Sequence, residues 1–206
     1  MKRVLITGGN GDIAHSIARM METEGGYDVY MPGKEELDVT NYDMVSRVIT
    51  AYKPDILVNN AGYVVPFGIA ENKHESEEKA IKINLLGTFW CTAVATSTNP
   101  DCLVINVGSS AGTKVHARWS SYCAAKAGVL MASKCWAAEG VKVKCISPGR
   151  TQTKMRKFLF PDEDQSTLLR PDDFACIVMK AIHGSYAYGE NIDVNVNNVE
   201  QLKNGE

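Results

Sequence analysis

The chain has 206 residues, 45% of them apolar and 22% charged, with a net charge of −2. At that length about 70% of the unfolded surface is buried on folding, so a core needs neither disulfide nor metal. The near-neutral balance gives no electrostatic reason to expect nucleic acid or an anionic membrane as partner, and no apolar run reaches transmembrane length.

Arg3 to Thr7 (RVLIT) is apolar without polar alternation, the pattern of a strand buried on both faces. So short a run after two basic residues reads as a first strand rather than a signal peptide. TGGNGDIAHSIARMMETEG follows. Gly8, Gly9 and Gly11 let the chain turn, and the next helix carries Ile13, Ile17 and Met20/Met21 on one side. A strand, a glycine turn and a helix N-terminus aim N–H groups at an anion, the diphosphate cradle of dinucleotide-binding folds. Ala14 stands where a third glycine would and still permits close helix–strand packing. Asp12 is less expected beside a diphosphate; pointing outward, it would favour the helix N-terminus. Tyr27 to Met31 reads as the second strand. An acid about 20 residues beyond the glycines contacts the ribose of NAD. Here Met31 and Pro32 occupy that place, and Lys34 nearby is either an exposed turn lysine or a cation for a 2'-phosphate.

Glu36 to Thr40 (ELDVT) reads as a very short extended segment, and NYDMVSRVITAYK as a helix capped by Asn41 or Thr40. ILVNNAG is a strand ending in a polar turn, where open α/β sheets bind ligands. Glu71 to Lys79 suits a solvated helix face that continues as an apolar helix through Asn84 to Ser97. Cys102 to Val107 is a strand leading to Ser109. In the helix that follows, Tyr122 lies four residues before Lys126 and shares its face. An ammonium beside a phenol lowers its pKa and suits it to general acid/base work, and a strand-end hydroxyl suits polarising a carbonyl oxygen. VKVKCIS is the next strand and ends at Pro148-Gly149. From there to Arg170 helix and strand signals are few, until Pro171-Asp172 opens a helix. Asn191 to Val196 alternates as a last strand, and the polar tail to Glu206 is expected to fray. Strands alternating with helices throughout argue one α/β domain over 1–206, a doubly wound parallel sheet with helices on both faces. The six cysteines lack CxxC or metal-type spacing and the four histidines are dispersed. That predicts a reduced, cytoplasmic protein without a metal site.

These motifs together resemble the short-chain dehydrogenases/reductases over nearly the whole chain. TGGNGDIA resembles the family's glycine turn in its TGxxGxxG variants, NNAG at 59–62 its motif after the fourth strand, and KINLLGTF its helix with the active-site Asn. VGSSAG and SSYCAAKAG resemble the catalytic Ser–Tyr–Lys set, with Ser109 and Tyr122 thirteen residues apart. The resemblance implies a Rossmann-type three-layer fold and hydride transfer between a nicotinamide and a carbonyl/alcohol substrate. It makes Tyr122 the proton donor, Ser109 the group that orients the carbonyl oxygen, and Lys126 the residue that holds the nicotinamide ribose. Asn84 would position a relay water. It implies cofactor contacts at Gly8, Asn10, Gly11, Asp12 and Ile13 on the diphosphate. Lys34, Asp38 and Val39 would lie on the adenine side. Asn60, Ala61 and Gly62 follow, and ISPGRTQTKM adds Pro148, Gly149, Thr151 and Thr153 on the nicotinamide side, with Tyr122 and Lys126 between. Lys34 favours NADP(H) over NAD(H). A homodimer or homotetramer would pack the Asn84 and Tyr122 helices, with Ala124, Ala125, Ala127 and Gly128 allowing close approach.

The chain departs from the family in length. Most of the helix and strand expected before ELDVT is missing, and the loop from Thr153 to Pro171 is short, which suits an open site or a small substrate. Lys114, His116, Arg118, Arg150, Lys154, Arg156 and Lys157 flank the expected pocket. If they converge they would hold a keto-sugar phosphate; otherwise they are a solvated basic loop. The competing functional reading is a protein that binds NADP as a sensor or scaffold without chemistry.

Overall fold

The apolar runs assemble into one parallel sheet. The computed structural model describes residues 1–205. Its strands are β1 (Lys2–Ile6), β2 (Tyr27–Tyr30), β3 (Ile56–Asn59), β4 (Leu103–Val107), β5 (Val143–Pro148) and β6 (Asn191–Val194), in the order β2-β1-β3-β4-β5-β6. The helices are α1 (Asp12–Glu24), α2 (Tyr42–Tyr52), α3 (His74–Ile81), α4 (Gly87–Thr98), α5 (Ser120–Ala138), α6 (Lys154–Leu159), α7 (Pro171–Ile182) and α8 (Val199–Asn204).

Successive strand residues point to opposite faces, and both faces are apolar. Val4, Ile6, Val58, Ile105 and Ile146 pack under α1 and α7, with Phe174 of α7 fully buried among them. Leu5, Leu57, Val104 and Val143 pack under α2 and α4 on the other face. The result is a three-layer α/β sandwich with Leu5 beside Leu57 and Leu57 beside Val104 across the sheet. The strand order reverses between β1 and β3, so the crevice for a ligand opens at their carboxyl ends. Among the described residues no helix is long and apolar enough to cross a membrane.

Four segments differ from their sequence expectation. Residues 36–40 form no strand. The N–H groups of Glu36 and Leu37 bond the Gly33 carbonyl, and Asp38 Oδ1 accepts from the Thr40 N–H and hydroxyl, so turns take the groups a ladder would use. Leu37 and Val39 still reach the core. The helix through Asn84 is interrupted by a π-helical turn at Lys82–Leu86, where Gly87 N–H reaches back to Lys82 O. The Asn84 amide donates to Ala80 O at 2.8 Å and competes with the backbone for that carbonyl. The stretch before Arg170 contains α6, whose N-cap Thr153 accepts from Arg156 N at 3.1 Å. The tail forms α8 rather than fraying. Val199 is buried, and Lys203 pairs with Asp173 of α7 at 2.5 Å. Glu206 itself lies outside the described residues.

Candidate active site

The carboxyl ends of β1, β3, β4 and β5 surround a cavity of about 440 Å³. The glycine turn forms one wall. Gly8 sits at φ +66°, and a β-carbon there would lie 2.8 Å from Ala61 Cα, so only glycine fits between the two strand ends. Thr7 Oγ1 accepts the N–H groups of Asn60 and Ala61, both at 3.0 Å. The Asn60 amide returns to Thr7 O and Gly8 O. Asn60 therefore lines the cavity while its amide braces the glycine turn. Thr7, which bonds both neighbours, was not among the expected site residues.

Gly11 is the N-cap of α1 and provides no side-chain acceptor, so the first N–H groups of the helix face the cavity uncapped. Asp12 does not point away from the protein. Its carboxylate accepts from Lys154 N at 2.7 Å and ties the start of α1 to the start of α6. Asn10 and Ile13 line the same wall.

On the opposite wall stand Ser109, Tyr122 and Lys126, the three residues expected to act together. Ser109 ends β4 and its Oγ accepts from Ala111 N at 3.1 Å, which leaves its O–H free to donate. Close packing under this corner requires glycine at 108, where a β-carbon would collide with Ser147 Oγ. Lys126 is 5% exposed, and its Nζ donates to Val107 O at 2.8 Å and lies 5.9 Å from the Tyr122 ring centre. Burial lowers the Lys126 pKa to about 8. The Tyr122 pKa moves opposite to the sequence expectation. Burial raises it, and the hydrogen bond from Ser109 only partly opposes that rise. Desolvation of the phenolate outweighs an ammonium that sits over the ring and is engaged with a backbone carbonyl.

Pro148, Gly149, Thr151 and Thr153 bring the end of β5 to the cavity floor, together with Ala61 and Gly62. Four expected site residues lie elsewhere. Asn84 is fully buried; its Nδ2 donates to Tyr63 O at 2.6 Å and to Ala80 O, and its Oδ1 accepts from Tyr63 N. With both N–H groups taken, the side chain holds the loop after Gly62 and has no donor left for a relay water. Val39 packs in the core against Gly87. Lys34 and Asp38 face a separate shallow cleft with Lys79 and Lys82 and form a loose 3.7 Å pair with each other.

Of the seven flanking basic residues, His116, Arg150, Lys154 and Arg156 line the cavity, whereas Lys114, Arg118 and Lys157 do not. Arg118 pairs with Glu71 at 2.7 Å. Arg156 binds Glu163 through Nε and Nη2 at 2.6 and 2.7 Å, and Arg150 takes the same carboxylate at 3.1 Å. Glu163 was invisible as a site residue in the sequence, since it lies in a loop without periodicity. Trp119 was also missed; it lines the cavity beside Tyr122.

The family model described as short chain dehydrogenase matches residues 34–164. The chain belongs to the short-chain dehydrogenase family. It is thus a member of a family of NAD(P)-dependent oxidoreductases, and the glycine turn facing Ser109, Tyr122 and Lys126 is this short-chain dehydrogenase's candidate active site. A 3-oxoacyl-[acyl-carrier-protein] reductase of Vibrio cholerae is 28% identical, covering 94% of this chain and 96% of the relative. The solved structure of ElxO with NADP bound superposes with a TM-score of 0.82 at 23% identity, covering 94% of this chain and 97% of that one. A 3-ketoacyl-(acyl-carrier-protein) reductase from Brucella melitensis complexed with NADH gives 0.81 at 20% identity, over 94% and 96%. At those identities the two structures speak for the fold.

Proposed function

We propose that this short-chain dehydrogenase reduces a small carbonyl compound, with Tyr122 as proton donor and NADP(H) preferred to NAD(H). The observation that carries the reading is the single cavity shared by the uncapped α1 N-terminus and the Ser109–Tyr122–Lys126 group. An N-terminus without a side-chain acceptor suits a diphosphate, and the left-handed Gly8 allows its close approach. When bound, the nicotinamide dinucleotide supplies the hydride. The Ser109 O–H donates to the carbonyl oxygen and fixes its direction. Tyr122, protonated at neutral pH because burial raises its pKa, delivers a proton to that oxygen. Lys126 gives one N–H to Val107 O, which leaves two donors to hold the nicotinamide ribose when the cofactor is bound. Asn84 acts at one remove, by fixing Tyr63 and the loop through Gly62. The NADP preference rests on an exposed Lys34 shortly after β2, beside Met31 and Pro32, which stand where an acid for the ribose of NAD would.

Among substrates, an uncharged carbonyl compound, a keto-sugar included, is better supported than a sugar phosphate, because Arg118, Arg150 and Arg156 are all held by carboxylates. The six strands between Lys2 and Val194 share one sheet, which supports a single domain. All six cysteines are free thiols, in keeping with a reducing, cytoplasmic setting. A homodimer or homotetramer is supported by an exposed stripe on α5: Ala124, Ala127, Met131, Cys135 and Ala138. Ala125 and Gly128 do not belong to it. Ala125 is fully buried, and a β-carbon on Gly128 would meet Leu85 of the same chain.

Fluorescence titration with NADPH and NADH tests this reading. NADPH is expected to bind more tightly, and Tyr122→Phe to keep that binding while losing carbonyl turnover by about 10²–10⁴-fold. A mutant that turns over like wild type would remove Tyr122 as the proton donor; a wild type that binds NADPH yet reduces no carbonyl would leave the scaffold reading in its place, and failure of both nucleotides to bind would overturn the oxidoreductase reading.

A further inference from the structure

Trp119 closes the segment between Ser109 and α5, and its ring is the first apolar surface beside the catalytic phenol. It meets the Tyr122 ring edge-on, with centres 5.7 Å apart and planes at 83°. His116 lies at 5.4 Å and 30° from it, and Phe160 at 6.0 Å and 32°, so the three rings form a row of which His116 and Trp119 line the cavity. Val64, Met155 and Leu159 complete this end of the cavity.

Both flanks of the row are held by an arginine on a carboxylate. On one side Arg118 adopts φ +69°, a left-handed conformation uncommon for a residue with a side chain. Its carbonyl accepts from Phe67 N at 2.8 Å, and its guanidinium pairs with Glu71. Strain of this kind persists where surrounding contacts over-determine it, and it tends to cluster at functional sites. On the other side the Arg156 guanidinium lies 4.3 Å from the Phe160 ring centre while its two-pronged contact with Glu163 fixes it in place. Both guanidiniums are engaged by a carboxylate, and the rings between them, with Val64, Met155 and Leu159, form an apolar and aromatic stretch of a lining that also includes Arg150 and Lys154.

We infer that Trp119 is the specificity-determining residue of this site, and that it takes a flat, uncharged substituent next to the reacting carbonyl, an aryl or conjugated group. The inference rests on the oxidoreductase reading above and narrows its substrate class. A ring laid against this row buries apolar surface and gains aromatic contact. It also brings the adjacent carbonyl to the phenol that Trp119 touches. A saturated or charged substituent gains neither.

The test compares two diketones that differ by one group, 2,3-butanedione and 1-phenyl-1,2-propanedione, by NADPH oxidation and by calorimetric binding to the NADP-loaded protein. Wild type is expected to prefer the phenyl compound in kcat/KM by about tenfold or more. In Trp119→Ala that preference falls to near unity, through a higher KM for the phenyl compound and matching weaker calorimetric binding. Trp119→Phe keeps most of it, and Val115→Ala, in the same segment but 98% exposed, leaves it unchanged. A general disturbance of the loop would move both diketones together and would show in Val115→Ala as well. Equal use of both diketones by wild type, a preference untouched by Trp119→Ala, or faster reduction of ketoses or their phosphates overturns the inference while leaving carbonyl reduction standing. Failure to bind either nucleotide overturns both.

Discussion

Lys126 holds its charge where there is one backbone carbonyl to meet it and almost no water. Its pKa falls from 10.5 to about 8, so the charged form is disfavoured in the folded chain by roughly 3 kcal/mol. Below about pH 8 the folded and unfolded chains both carry this proton, and the folded one bears the full cost. Between about 8 and 10.5 the unfolded chain binds more protons, so this group makes stability rise with pH. Lys126→Met, similar in length and uncharged, is therefore expected to melt above wild type at pH 7. The gap should close as pH climbs through that window, as read by calorimetry from pH 6 to 11. A gap that stays constant would mean the lysine's charge is not what burial penalises. An apolar residue would hold the corner at lower cost, which is the physical argument for the chemical role proposed for Lys126. Its partner Tyr122 was legible from spacing alone, but the sign of the tyrosine's pKa shift was not. Spacing says which groups are neighbours; desolvation depends on everything packed around them.

The glycine turn and α2 show how differently two neighbouring elements tolerate one methyl-sized change. At Gly8 an added β-carbon meets Ala61 backbone that Thr7 holds by two N–H bonds, and the backbone there is left-handed. Gly8→Ala is expected to cost about 2 kcal/mol or more and to abolish NADPH binding. Asn41→Ala removes the cap that accepts Met44 N at 3.0 Å; it should cost about 1 kcal/mol and leave NADPH affinity as it was. Urea melts paired with fluorescence titration separate the two; equal effects on affinity would contradict the placement of the diphosphate at Gly8. The six strands and long helices were legible at this scale because burial on two faces, or on one, writes a period into the residues. Residues 36–40 carry the composition of a strand, yet side-chain and turn bonds to Gly33 and Asp38 won. α6 and α8 have six residues each, too few for a period, and exist because Thr153 caps one and Asp173 pins the other. Glu163 follows the same logic: its importance lies wholly in which arginines the fold brings to it.

For the whole molecule, the exposed stripe on α5 makes the most direct demand. Met131 is 61% exposed at its centre, and Phe89 of α4 adds a further apolar group, edge-on to Trp136 of α5. Light scattering after gel filtration is expected to give a dimer or tetramer for wild type and a smaller species for Met131→Glu, with the melting profile of each protomer otherwise preserved. A wild-type monomer at micromolar concentration would rule the stripe out as an interface. The strand order carries a different kind of consequence, one of time. β1 is made first; β2 joins one of its edges and β3 the other, and β4, β5 and β6 each add to the strand made just before them. As the chain leaves the ribosome no strand after β1 has to wait for a later one to provide its seat. The cradle does wait: its glycine turn appears with residue 8, but Thr153, the last piece of its floor, arrives only after three quarters of the chain has been synthesised. The sheet is thus seated in the order it is made, and the cradle has all its pieces before the last strand, β6, joins the edge.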